Sequence, residues 1–375
     1  MPLLLHAVII QAVYAIVRVT TSYRAIELDV SVVWLGVISA TFAILPIFLA
    51  VWVGRFLDRG NDAQAAWIGS GLLVIACAGF RFAAGSVPAL LLCTALLGIS
   101  HLFMMASQQM LCIRCAGPRG RDSAFGNYLV ASAIGQGLGP YLIAWMGGAA
   151  TLPPTGKLFG IGLVIALGSL ATASALRPAP RSVTEARSKA VEPVRTLLRQ
   201  RGLMTMLVAS VITITSQDLL TIYLPLLGAD NGIDVRDIGS LLTVRSIASL
   251  ISRLGYVRVV RLVPRRPLTL VSMVGAGIGF GCLALPIPLS GMYAAMVVMG
   301  FSLGIATTLS LTNVVNAAIG TVMSLRITGN RIGQVALPFM ASLIAAATGV
   351  AGIFALIAVS LAASGAAVLF SRPEP

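Results

Sequence analysis

Twelve apolar runs follow one another through this 375-residue chain, each closed off by a short polar or charged break. A helix needs about 20 apolar residues to cross a hydrocarbon core of about 30 Å, and most of the runs are of that length. They are Pro2 to Tyr23, Val32 to Val53, Ala63 to Phe82, Pro88 to Leu111, Ser123 to Met146 and Leu158 to Leu176 in the first half. The second half holds Leu203 to Leu227, Ile238 to Val260, Leu268 to Leu285, Gly291 to Val315, Val322 to Ala347 and Val350 to Phe370. Such a chain is constrained to an all-α membrane protein of twelve transmembrane helices. Composition agrees: 58% of residues are hydrophobic and 10% charged, and the mean hydropathy is +0.95. A soluble domain carries about 25% charged residues.

The net charge of +14 does not point to nucleic acid, because no basic face with interleaved aromatics accompanies it. The positive residues sit in the breaks instead. With both ends cytoplasmic, 17 of the 26 basic residues fall on the cytoplasmic side and 4 on the other, leaving Arg18, Arg245, Arg253, Arg326 and Arg331 inside helices. That bias orients the chain by the positive-inside rule. Five cysteines lie mostly within apolar runs; Cys112 and Cys115 have no second ligand pair, so they read as small buried residues and no metal site is expected. The first run lacks a basic leader and a small-residue cleavage site, which predicts a retained helix. A phosphate-binding Gly-rich loop with Lys and Ser or Thr is missing, so neither ATP nor another cofactor is implied, and no clustered carboxylates or histidines suggest an enzyme.

One long polar stretch, 177–201, divides the chain into an N-terminal six-helix bundle (1–176) and a C-terminal one (202–375), joined by this cytoplasmic connector. The halves echo each other. Ile134-Gly135-Gln136 with Pro140 recurs as Ile332-Gly333-Gln334 with Pro338, 198 residues on. Gly98 and Ser100 recur as Gly300 and Ser302 at a spacing of 202, and Tyr23 recurs as Tyr223 at 200. Three matches at nearly one spacing predict two pseudo-symmetric bundles, a duplication common among secondary transporters, whose substrate sites lie near the midplane.

Between the second and third runs lies Gly54-Arg55-Phe56-Leu57-Asp58-Arg59-Gly60-Asn61-Asp62. This stretch resembles the signature loop of the major facilitator superfamily, a family of transporters usually built from twelve helices. It departs from the family pattern in two places: Asn61-Asp62 stand where a basic pair is usual, and the second glycine comes one place early. The resemblance implies that Asp58 braces the loop against the start of the eleventh helix, that Gly54 lets the second helix approach closely, and that Arg55 and Arg59 belong to the same conformational loop. In the fifth run, Gly135-x-x-x-Gly139-Pro140 is similar to the motif of the superfamily's drug-proton antiporters, although the two further glycines of that pattern are Ile143 and Ala144 here. The antiporters' fourth-helix Arg and Gln are Thr94 and Leu97.

The resemblance implies a secondary active transporter moving a small organic solute by alternating access. It implies a multi-pass monomer in the cell's inner membrane, with proton-coupled efflux as the expected mode. The alternative is uptake or exchange of an organic anion, suggested by the surplus of intramembrane Arg over the single core carboxylate, Asp218, and a third reading is a non-transporting membrane receptor or scaffold on the same fold. Charges inside a bilayer need partners or an aqueous cavity. The candidate substrate or coupling residues are Arg18, His101, Gln136, Gln217, Asp218, Arg245, Asn313 and Gln334. Arg253, Arg326 and Arg331 are within snorkelling reach of the cytoplasmic surface. For Asp218 two pairings are open: Arg18, its counterpart 200 residues earlier, or Arg245 within its own half.

Overall fold

The computed structural model describes residues 2–177, 203–315 and 321–370; the connector beyond Arg177 lies outside them. The first half contains α1 (Pro2–Glu27), α2 (Val32–Asp58), α3 (Asp62–Phe82), α4 (Val87–Cys112), α5 (Ala124–Met146) and α6 (Thr155–Ser174). The second contains α7 (Leu203–Asp230), α8 (Val235–Leu262), α9 (Arg265–Leu283), α10 (Leu289–Val315), α11 (321–348) and α12 (350–370). Among the described residues all regular structure is helical. A backbone immersed in lipid must satisfy its own hydrogen bonds, and a helix does this within one segment.

Two pairs of neighbouring spans each merge into one helical run. Val87–Met146 is 60 residues long, about 90 Å if straight at 1.5 Å per residue. It nevertheless folds back, because the Tyr128 hydroxyl of α5 lies 3.4 Å from Gln108 Oε1 and 3.3 Å from Met105 Sδ of α4. The run Thr321–Phe370 is divided at Gly349, whose φ of 72° suits glycine and separates α11 from α12. The short connection after α2 also differs from expectation. Helix α2 continues through Gly54 to Asp58, so the turn shrinks to Arg59–Asn61, with Gly60 at φ 84°.

The chain packs as two units. The first holds α1–α6 together with Leu224–Thr243; the second holds the earlier part of α7 and everything from Val244 onward. In the first unit, α1 lies against α4, α5 and α6, and α3 against α4 and α6. In the second, α9 packs against α10 and the α11–α12 run.

Lipid supplies no hydrophobic drive for helices to associate, so small residues that permit backbone approach do that work. Gly135 of α5 meets the Val8 carbonyl and Gln11 of α1, and Gly139 meets the Ala12 carbonyl and Ala15. Gly333 of α11 meets Val211 and Thr215 of α7, the positions 200 residues after Gln11 and Ala15. Likewise Gly98 of α4 abuts the Phe42 carbonyl of α2, while Gly300 of α10 abuts the Arg245 carbonyl of α8. The sequence repeat is therefore a repeat of contacts. Tyr23 and Tyr223 are both fully buried. At Gly54 a Cβ would meet open space among the described residues.

Two classes of glycine variant follow. Gly98→Val and Gly135→Val push a side chain into a neighbouring carbonyl, and overpacking of this kind costs about 1–3 kcal/mol or more. Both should lower the detergent melting temperature and the monodisperse yield. Gly54→Ala should leave both unchanged or slightly raised, since Ala favours a helix over Gly by about 1 kcal/mol.

Candidate functional site

In the first unit the polar candidates gather around one aromatic ring. The Arg18 guanidinium of α1 stands 4.7 Å from the centroid of Phe42 on α2. His101 of α4 lies 5.2 Å from the same ring and meets Tyr14 of α1 edge-on at 4.6 Å. The Tyr14 hydroxyl is 2.8 Å from Ser100 Oγ, and Ser100 donates to the Gly69 carbonyl of α3 at 2.8 Å. Helix spacing explains this gathering. Tyr14 and Arg18 are one turn apart and share a face of α1, while Ser100 and His101 are neighbours on α4. A cation over an aromatic face is favoured by up to about 2 kcal/mol where water is excluded. Phe42 is 4% exposed, whereas Arg18 and His101 are half-buried.

In the second unit the candidates form a chain of bonds. Arg331 Nη1 donates to Gln334 Oε1 at 3.2 Å, and Gln334 Nε2 donates to Asp218 Oδ2 at 2.7 Å. Arg331 and Gln334 lie three residues apart on α11, one turn of the helix, and Asp218 is on α7. Arg245 of α8 is attracted by the Asp218 carboxylate and repelled by Arg253 on its own helix. It is 9% exposed, and its Nε has no hydrogen-bond partner. Gln217, beside Asp218, donates to Thr307 Oγ1 of α10 at 3.2 Å. Arg326 does not snorkel outward. It is 5% exposed, and its Nε donates to Ser210 Oγ at 2.9 Å and Ser310 Oγ at 3.3 Å. The reason is local: Ser210, Ser310 and Asn330 create a polar lining at that end of the unit, and Ser210 itself donates to Asn330 Oδ1 at 3.2 Å.

The two clusters occupy equivalent places in the repeat. Arg18 corresponds to Asp218 at a spacing of 200, and Phe42 to Arg245 at 203. In each half these positions lie on the first and second helices, with a cation over a ring in one half and a carboxylate and a cation in the other. Gln136, the counterpart of Gln334, is half-buried on α5. The Asn313 side chain lies outside the described residues.

Beside the loop after α2 lies a buried ion pair that involves a residue the resemblance did not single out. Arg55, Asp58 and Arg59 are exposed, whereas Asp62 is completely buried in the first turn of α3. Its carboxylate accepts a short hydrogen bond from Arg114, and the same guanidinium donates to the Leu57 carbonyl at the end of α2 at 3.3 Å. An acid in a first turn also meets the positive end of its helix. Asp62 is the residue that departs from the family's basic pair, and an acid directly after Gly60-Asn61 was the signal available for it. Among the described residues no group of three or more His, Cys, Asp or Glu could hold a metal.

Ten stretches of these helices are long and apolar enough to cross a membrane. A duplicated set of such spans, with charges collected inside each half, defines a multi-pass membrane transporter. The chain belongs to the major facilitator superfamily, whose model matches residues 3–318 and 206–375. No curated protein matches it by sequence. Among solved structures it is similar to a D-xylose-proton symporter (14% identity, TM-score 0.81, covering 100% of this chain and 97% of the other). The xylose transporter XylE from E. coli in its inward open conformation gives 14% identity, a TM-score of 0.78 and coverage of 100% and 95%. The nucleoside transporter NupG gives 12%, 0.77, and 99% of each chain.

Removing one member of a buried ion pair strands the other, at a cost of about 3–5 kcal/mol. Asp62→Ala and Arg114→Ala should therefore each lower thermal stability markedly, and the double variant should cost less than the sum. Asp58→Ala should leave stability near wild type. Thermal melts of all four proteins in one detergent check this.

Proposed function

We propose that this protein is a secondary active transporter for a small organic anion, such as a carboxylate. It would work by alternating access in the cell's inner membrane and carry a proton with the substrate. The observation that carries this reading is the charge balance in the second unit. Arg245, Arg253, Arg326 and Arg331 stand there against one intramembrane carboxylate, Asp218, and the buried Arg245 has a bare Nε–H. Surplus positive charge in a low-dielectric interior attracts an anion and repels a bare cation.

The proton enters through the competition for Arg245. While Asp218 is ionised it neutralises part of the Arg245 field. Protonating Asp218 removes that competitor, and Gln334 can still donate to the neutral carboxyl. Proton and anion then favour each other's binding, and linkage makes the coupling reciprocal. Co-binding supports symport; the xylose-proton symporter of the same fold works with a proton as its name states. Efflux by proton exchange rests on the Gly135–Gly139–Pro140 motif, and the contact of Gly135 and Gly139 with the α1 backbone gives that motif a packing role in either direction of transport.

Proteoliposome flux of a panel of small mono- and dicarboxylates, sugars and lipophilic cations tests the reading. Saturable flux of an anion, accelerated by an inward proton gradient, is expected. Asp218→Asn should still exchange the anion but lose its response to the gradient. Arg245→Gln should lower anion affinity by about tenfold or more, as expected when a charged hydrogen bond of about 1.5–3 kcal/mol is lost. Saturable transport of a lipophilic cation, with no anion carried, would overturn the proposal.

A further inference from the structure

An open cleft of about 750 Å³ lies on the first unit between α1, α5 and α6. Its walls include Leu4, Leu5, Val8 and Ile134, and they are almost wholly apolar. Leu5 is 55% exposed and Ile134 41%. All three helices contribute their cytoplasmic ends, because Pro2, Asn127 and Ala175 line the cleft as well. From Pro2 to Val8 it reaches about 9 Å along α1, at 1.5 Å per residue. That places it in the cytoplasmic leaflet, which is about 15 Å deep.

Among the residues lining the cleft, the deep wall has one polar side chain. Thr172, its one hydroxyl, is held from behind: Oγ1 lies 2.8 Å from His6 Nδ1 and donates to the Ser169 carbonyl at 3.0 Å. The remaining polar side chain is that of Asn127, which is exposed and sits four residues into α5, at the cytoplasmic rim. A hydrocarbon chain therefore fits the interior, and polar groups fit the mouth alone. The volume falls within the range of about 300–1,000 Å³ usual for ligand sites. Charge at the mouth selects among lipids. Two residues past Ala175 stands the exposed Arg177, which puts a positive charge beside the mouth.

We infer that this cleft is a binding site for an anionic phospholipid of the cytoplasmic leaflet, with one acyl chain between α1, α5 and α6 and the headgroup phosphate at Arg177. Juxtamembrane basic residues attract anionic headgroups, and the chain's methylenes leave bilayer for a matching apolar wall.

The test is native mass spectrometry of the delipidated full chain, titrated with phosphatidylglycerol and phosphatidylcholine of identical acyl chains. Phosphatidylglycerol should be retained about fivefold more strongly, the effect of one basic residue near the surface. Arg177→Gln should bring the two lipids level. Ala171→Trp and Ala175→Trp, at exposed positions of the cleft wall, should fill it and lower retention of both lipids several-fold while the helical signal and monodispersity hold. A wild-type measurement free of these variants uses phosphatidylglycerol with a photoreactive group in its acyl chain, which should label Leu5, Ile134 or neighbours in the cleft. Equal retention of the two lipids by the wild type overturns the assignment. So does retention unaffected by both tryptophans, or labelling confined to other helices. Efficient disulfide dimers of Leu5→Cys protein in bilayers would overturn it too, showing that a second copy covers the cleft.

Discussion

Within the hydrocarbon core no water completes a hydrogen bond, and apolar side chains gain nothing by leaving lipid for one another. The first condition makes each span a helix. The second leaves cohesion to close contact between backbones, and here glycine provides it. Gly98 and Gly135 in one half, and Gly300 and Gly333 in the other, each bring a helix onto a neighbour where a Cβ would collide. Four contacts at two related pairs of positions hold each half by the same geometry. The duplication therefore reaches the packing, which is where function can use it.

Charge sets the second condition. A charged side chain at the bilayer centre costs about 2.5–3.5 kcal/mol on insertion scales, and this chain places five arginines within its spans. Three of them meet the cost by different local devices. Arg18 stacks on Phe42; Arg326 is taken up by two serines; Arg331 reaches Asp218 through Gln334. Arg245 has attraction from Asp218 and repulsion from Arg253. Arg245 and Arg253 each keep a buried Nε without a hydrogen-bond partner, so these two leave the most room for an incoming negative group.

Much of this was legible in the sequence because its signals are long or repeated. Runs of apolar residues reveal spans, and the three matched positions at spacings of 198–202 reveal the halves. What was not legible depends on directions that a linear pattern does not carry. Gly54 sits in a family motif, yet the face it presents is open. Asp62 looks like a departure from that motif, yet it is the buried acid, because the Arg114 that answers it lies 52 residues away. The fate of Arg326 likewise turns on Ser210 and Ser310, which no spacing rule connects to it.

The correspondence of Arg18 with Asp218, and of Phe42 with Arg245, bears on how a duplicated fold acquires a function. A duplicated unit begins with identical contacts, and a transporter needs its halves to differ. In the first half the shared position is filled by a cation resting on a ring whose attraction does not titrate. In the second half a carboxylate, Asp218, stands on the first helix and a cation, Arg245, on the second. The backbone contacts on either side, Gly98 to Phe42 and Gly300 to Arg245, stay the same. The halves thus keep one scaffold while the side chains at these positions differ. Under the proposed function, that difference would let protonation of Asp218 change the electrostatics of one half while the helix contacts common to both persist.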